Sequence, residues 1–238
     1  MGADLVELRR RVRPMLDLSA PRDALAAYYT LNHDPARTHI YVEERGGRVE
    51  GFLTVCQTGR DLFRLLVVLR ARTLSAARAL LQRHLHPRRP YYLVTTLDLR
   101  PVVETTLAVE QVQINRIYRL DLRRYAPTIN VLVVPTPTPD GSPRFVIRAR
   151  GEVAAEAGIN WHSPHFAEVY VWTAPEARGR GWGKAVLDSC IAWVLRTGAQ
   201  PLYMVPERNT PSIRLAESTG FVDTGAREFA VEAVRQAE

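Results

Sequence analysis

Lysine is almost missing from this chain. Of its 32 basic residues only Lys184 is not arginine. Cysteine is nearly as scarce. Cys56 and Cys190 alone make no disulfide framework and assemble no metal site unaided, so no metal is expected. No apolar run approaches the roughly 18–20 residues that cross a bilayer. Arg9, Arg10, Arg11 and Arg13 stand near the start with no apolar run behind them, which argues against a secretory signal. A cytoplasmic protein without a membrane partner, monomeric or homodimeric, is the expectation.

What is present suits a globular protein. At 238 residues and 46% hydrophobic, the chain can build one large domain or two small ones. The net charge of +7 is uneven: residues 1–126 carry +8 and residues 127–238 carry −1. A basic half could face nucleic acid, an acidic substrate or an anionic cofactor. Its arginines are scattered among acids and not gathered in one run, which argues against nucleic acid.

The hydrophobic period divides the chain into elements. Leu5, Leu8, Val12, Met15 and Leu16 recur at helical spacing, and a second short helix covers 24–31. Residues 39–43 and 49–55 alternate as strands around a turn at 45–48. A strand at 61–69, a helix at 73–85, a strand at 91–97, a helix at 102–107 and an edge strand at 111–122 follow. Residues 130–134 read as extended, and 135–143, with four prolines, as a stiff loop. Strands at 145–148, 153–159 and 166–173 precede a helix at 183–197, a strand at 201–205, a helix at 211–218 and a last strand from 221. At an offset of about 104 residues the second order repeats the first, which predicts two tandem α/β units, 1–126 and 127–238.

The informative segment is Arg178-Gly179-Arg180-Gly181-Trp182-Gly183-Lys184, between an apolar strand and an amphipathic helix. A first helical turn has unpaired N–H groups and the positive end of the helix dipole. Glycines remove the Cβ atoms, so those N–H groups can close on phosphate oxygens, with three cations around them. A Walker loop needs Gly at 178 and Ser or Thr at 185, where Arg and Ala stand. A dinucleotide fingerprint needs Gly at 184 or 186, where Lys and Val stand. Neither fits.

The segment Arg178-x-x-Gly181-x-Gly183 resembles the signature of the GNAT superfamily of N-acetyltransferases. Asn209-Thr-Pro-Ser212, followed by Gly220-Phe221, is similar to the family's next motif. The resemblance implies a GNAT-like mixed sheet, with acetyl-CoA as donor and an amine-bearing acceptor. It implies that the strand before the loop splays from its neighbour and that Val171, Trp172 and Thr173 pair with the pantetheine arm. The pyrophosphate then sits on residues 178–184, with Asn209 and Ser212 at the same cofactor. The equivalent loop of the first half, residues 70–76, has no glycine. A degenerate, non-catalytic N-terminal repeat is therefore expected.

Acetyl transfer needs a neutral amine, an oxyanion donor and a proton for the departing thiolate. Glu168 is the candidate base, and an N–H of Val171 or Trp172 the oxyanion contact. Many family members carry Tyr where this chain has Ala216, so the acid falls to Tyr203, Tyr170, Ser212 or water, with Tyr203 foremost. His162 and His165 read as loop histidines and Cys190 as a small buried hydrophobe. The alternative is a non-catalytic acyl-CoA sensor that kept the loop.

Overall fold

The computed structural model describes residues 4–59, 61, 63–138 and 141–236. It divides into two compact units, Met1–Asn115 with Arg227–Glu238, and Arg116–Ala226. No helix among the described residues is long and apolar enough to cross a membrane.

The first unit opens with helix α1 (Leu5–Val12), where the Asp4 carboxylate accepts from the Val6 N–H. Helix α2 (Ala24–Ala27) continues into a π turn over Tyr28–Asn32. Strands β1 (Thr38–Arg45) and β2 (Arg48–Cys56) form an antiparallel hairpin. Its turn places Gly46 and Gly47 at φ +60° and +75°, where a side chain would be strained. Strand β3 (Leu65–Ala71) runs antiparallel to β2, and helix α3 (Leu74–His84) returns the chain to β4 (Pro90–Thr96), parallel to β3. Helix α4 (Arg100–Thr106) leads into β5 (Ala108–Leu120). Leu53, Leu69, Leu80, Leu81, Leu93 and Phe229 are fully buried between α3 and the sheet.

Strand β3 starts later than the expected 61. The Asp61 carboxylate accepts from the Phe63 and Arg64 N–H groups at 2.9 and 3.1 Å, a turn that outcompetes extension. Leu62, also in that expectation, lies outside the described residues, as does Arg60 of the turn expected before it.

The second unit repeats the plan. Strand β6 (Val134–Pro137) pairs with β7 (Pro143–Ala149), which pairs with β8 (Glu152–His162), which pairs with β9 (Phe166–Thr173), all antiparallel. Helix α5 (Trp182–Arg196), strand β10 (Gln200–Pro206), helix α6 (Thr210–Ser218) and strand β11 (Phe221–Val234) complete it. The extended run expected at 130–134 becomes strand only at Val134, and the expected proline loop supplies Pro135 and Pro137 to it. Edge position allows this, because a missing N–H on the open side costs no ladder bond. Pro139 and Asp140 lie outside the described residues. Val186, Leu187, Cys190, Ile191 and Val194 of α5 are fully buried on the sheet, each large aliphatic side chain contributing about 1.5–3 kcal/mol.

The order hairpin, strand, helix, strand, helix, strand thus occurs twice, as the offset in the sequence predicted. The last strands depart from it. In the first unit β4 pairs with the C-terminal part of β11, Thr95 opposite Phe229. In the second unit β10 lies beside the C-terminal part of β5. Residues 116–126 therefore belong with the second unit and 227–238 with the first, whereas a single cut at 126/127 was expected. For the same reason β5 is an interior strand of the second unit, between β11 and β10, and not the edge strand its alternation suggested.

Candidate functional site

The site begins with a parting of strands. β9 and β10 pair in parallel at Phe166–Gln200, Ala167–Pro201 and Glu168–Leu202, and no ladder pair follows. From Val169 to Thr173 no further β9–β10 ladder pair occurs among the described residues, while the other edge of β9 stays bonded to β8. The splay that the family resemblance implied is present.

A 3₁₀ turn at Pro175–Ala177 carries the chain from β9 to the glycine loop. Gly179 and Gly181 adopt φ +77° and +75°, and Gly181 is the N-cap of α5 with no side chain to bond the first-turn amides. The first helical bond in this region runs from the Ala185 N–H to the Gly181 carbonyl at 3.1 Å. The amides of Trp182, Gly183 and Lys184 precede it at the positive end of a 15-residue helix.

The three glycines serve different needs. A Cβ on Gly179 or Gly181 would meet no protein atom within 4 Å, so these positions answer to backbone sign and leave open space beside them. A Cβ on Gly183 would stand 2.8 Å from the Thr173 hydroxyl, so there the glycine permits close packing of helix on strand. Open space where a Cβ would stand, expected at all three, is thus found at the first two only.

A cleft of about 660 Å³ opens between the loop, the free part of β9 and α6. Val171, Trp172, Thr173, Arg178, Gly179 and the run 181–184 line it, as do Asn209 and Ser212. Arg180 does not; its guanidinium lies over the Trp182 ring at 5.1 Å. Sequence reasoning missed Pro211, Leu215 and Ser218, which also line the cleft from α6. Asn209 caps α6 by accepting from the Ser212 N–H at 3.2 Å.

Tyr203 stands on β10 one residue past the last pair with β9. It is buried, packed on Phe221, and its hydroxyl lies 2.6 Å from the Ser212 hydroxyl at the cleft wall. Burial pushes the phenol pKa above its usual value, with the Ser212 bond opposing. Glu168 lies at the last paired position, where Asn160 donates to its carboxylate at 2.8 Å. Ala216 is fully buried in the core and Cys190 likewise, its thiol pushed up to about 12 by burial. His162 sits 3.0 Å from the Thr197 hydroxyl, and no metal-ligating group of three occurs among the described residues.

Lys184 was expected to add charge at the phosphates. It lines the cleft, and its ammonium bonds the Asp188 carboxylate at 2.8 Å, one helical turn on. The same carboxylate oxygen accepts from the N–H and hydroxyl of Thr128 at 3.1 and 2.9 Å, and Tyr125 donates to the Asp188 carbonyl. Asp188 is 1% exposed, so this cluster ties the segment before β6 to the loop helix. Asp188→Ala removes the acceptor that Thr128 and Lys184 share, and should cost about 1–3 kcal/mol, less than a wholly buried pair because Thr128 and Lys184 both reach water. Urea unfolding measures it; a loss under about 1 kcal/mol would show the cluster to be dispensable.

The equivalent region of the first unit is closed by its own side chains. Thr73 caps α3, accepting from the Ala76 N–H at 3.2 Å, and thereby satisfies an amide that Gly181 leaves free in α5. β3 and β4 pair as far as Val68–Val94, and the Thr95 hydroxyl then bonds the Leu69 carbonyl at 2.9 Å. Arg70 is buried there with Asp23 at 3.6 Å.

Parted parallel strands beside an uncapped glycine loop are the arrangement that the GNAT resemblance implied. Residues 114–221 match the model of the acetyltransferase (GNAT) family. Solved structures show the fold across the whole chain. A GCN5-related N-acetyltransferase from Kribbella flavida superposes with a TM-score of 0.63 at 13% identity, over 92% of this chain and 96% of its own. A GCN5-related N-acetyltransferase-like protein from Streptococcus suis gives 0.59 at 16%, over 97% and 100%. A tandem GNAT protein from the clavulanic acid biosynthesis pathway gives 0.58 at 16%, over 98% and 94%. A search of the curated proteins returns no match.

Proposed function

We propose that the second unit transfers an acetyl group from acetyl-CoA to a primary amine, and that the first unit is a non-catalytic repeat. The parting of β9 and β10 beside the uncapped start of α5 carries this reading. The pantetheine arm would add to the free edge of β9 at Val171–Thr173, and the diphosphate would rest on the amides of 179–184. An N–H of Val171 or Trp172 would face the thioester oxygen as its charge grows.

Glu168 takes a proton from the acceptor ammonium, and the neutral nitrogen attacks the thioester carbon. Glu168 releases that proton to solvent and takes the second nitrogen proton from the tetrahedral adduct, whose C–S bond then breaks as the carbonyl re-forms. Tyr203, kept protonated by burial, gives its proton to the thiolate beside Ser212 and regains one from solvent. The products are an amide and the free thiol of CoA.

Thiol release from acetyl-CoA, followed against amines, aminoglycosides, amino acids and peptides, tests this. Release with at least one amine is expected, faster than with longer acyl donors. Tight CoA binding with no release from any amine would favour the second reading, an acyl-CoA sensor, which rests on Ala216 being buried where the family resemblance places a tyrosine.

A further inference from the structure

The first unit holds a cavity of about 340 Å³ that plays no part in the site above. The strand period builds its floor. His39 and Tyr41, two apart on β1, share one face; His39 stands opposite Val55 on β2, and Leu65 on β3 stands opposite Tyr91 on β4. Val55 and Tyr91 are buried, so the floor is apolar and aromatic.

The rim carries guanidinium and imidazole side chains. Arg37 enters from the turn before β1, His84 from the end of α3, and His86 and Arg89 from the connection to β4. That connection is fixed at several points. The His86 N–H donates to the Tyr91 hydroxyl at 3.0 Å. Arg88 adopts φ +62°, strained for a residue with a side chain, and its N–H is held by the Arg235 carbonyl at 2.8 Å. The His84 ring stacks on Tyr41 with centroids 4.2 Å apart.

No carboxylate lines the cavity among the described residues. Of the nearby acids, Glu43 pairs with Arg83 at 2.8 Å, and Asp34 contacts the Arg37 Nε at 3.5 Å, so that an anion shares this guanidinium with Asp34. Two guanidinium groups and three imidazoles above an apolar floor match a doubly charged anion with a flat body. The volume suits a small ligand. We propose that this cavity binds a small phosphorylated molecule, its phosphate held at Arg37, Arg89 and the histidines and its body on the Val55, Leu65 and Tyr91 floor. Such a site also gives part of the +8 charge of residues 1–126 a purpose that the acyl-transfer reading leaves without one.

Phenyl phosphate is the probe, titrated into the full chain at fixed ionic strength while the histidine ring C–H resonances are followed by NMR. Saturable shifts of His39, His84 and His86 are expected, with binding tighter than that of inorganic phosphate. Arg89→Ala and Arg37→Gln should each weaken it about tenfold or more, because each removes a charge-assisted contact. Arg10→Ala, an exposed arginine elsewhere in the unit, should leave it unchanged. Gly181→Val should also leave it unchanged, which separates this site from the CoA site. Shifts that do not saturate, or that survive Arg89→Ala, overturn the proposal. So does tighter binding of a ten-residue oligothymidylate with a steep salt dependence, which would mark a nucleic-acid surface instead.

Discussion

Gly181→Val is expected to abolish measurable coenzyme A binding while the protein stays folded. Two observations separate the effects on fold and ligand. A Cβ at this position meets no protein atom within 4 Å, so the core is not disturbed. The φ of +75° penalises valine by about 1–2 kcal/mol, a loss that a domain with ordinary stability of about 5–15 kcal/mol survives. The space the new side chain would fill is the space in front of the first-turn amides. Losing two hydrogen bonds from those amides to a charged diphosphate, each about 1.5–3 kcal/mol, weakens binding by at least about a hundredfold. Gly198→Val is the matched control: φ is +83°, nothing lies within 4 Å, and the position follows the other end of α5. It should show the same fall in melting temperature with unchanged CoA affinity by calorimetry. Equal affinity in the two variants would mean that the loop does not touch the diphosphate.

The contrast between the repeats shows what the sequence made legible. Glycines at 179, 181 and 183 mark a chain reversal into a helix, and the strand before them occupies the expected residues 166–173. These are local signals, set within a few residues by periodicity and backbone sign. The absence of glycine from 70–76 was equally visible, but its consequence is more specific than missing space. Thr73 occupies an amide, and Thr95 bridges the strands. Non-local pairings were not legible. Nothing in the alternation of 111–122 says which copy of a duplicated strand sits beside β4 and which beside β10, since both copies fit either place. Asp188 illustrates a second limit. Its i, i+4 spacing from Lys184 is plain in the sequence, yet only burial and the approach of Thr128 turn an ordinary helix pair into the anchor of the loop helix.

Glu168→Gln should lower kcat by about 10²–10⁴ at neutral pH with little change in the KM for acetyl-CoA, because a missing base affects proton transfer and leaves the cofactor cleft intact. The substitution preserves shape and can keep the Asn160 contact, since the amide oxygen still accepts from Nδ2. The deficit should shrink as pH rises toward 10. An alkyl amine with a pKa of about 10.4 then arrives increasingly neutral and needs no base. The test is meaningful at high pH only if the acid survives there. A phenol ordinarily titrates near 10; burial raises Tyr203, and a raised pKa keeps the protonated form present past that pH. Tyr203→Phe should therefore behave oppositely, with a deficit that does not diminish as the amine deprotonates, because the leaving thiolate still lacks its donor. A fall of less than tenfold in Glu168→Gln, or one that is constant from pH 7 to 10, would remove Glu168 from the chemistry and leave the carboxylate as a partner of Asn160 at the end of a paired strand.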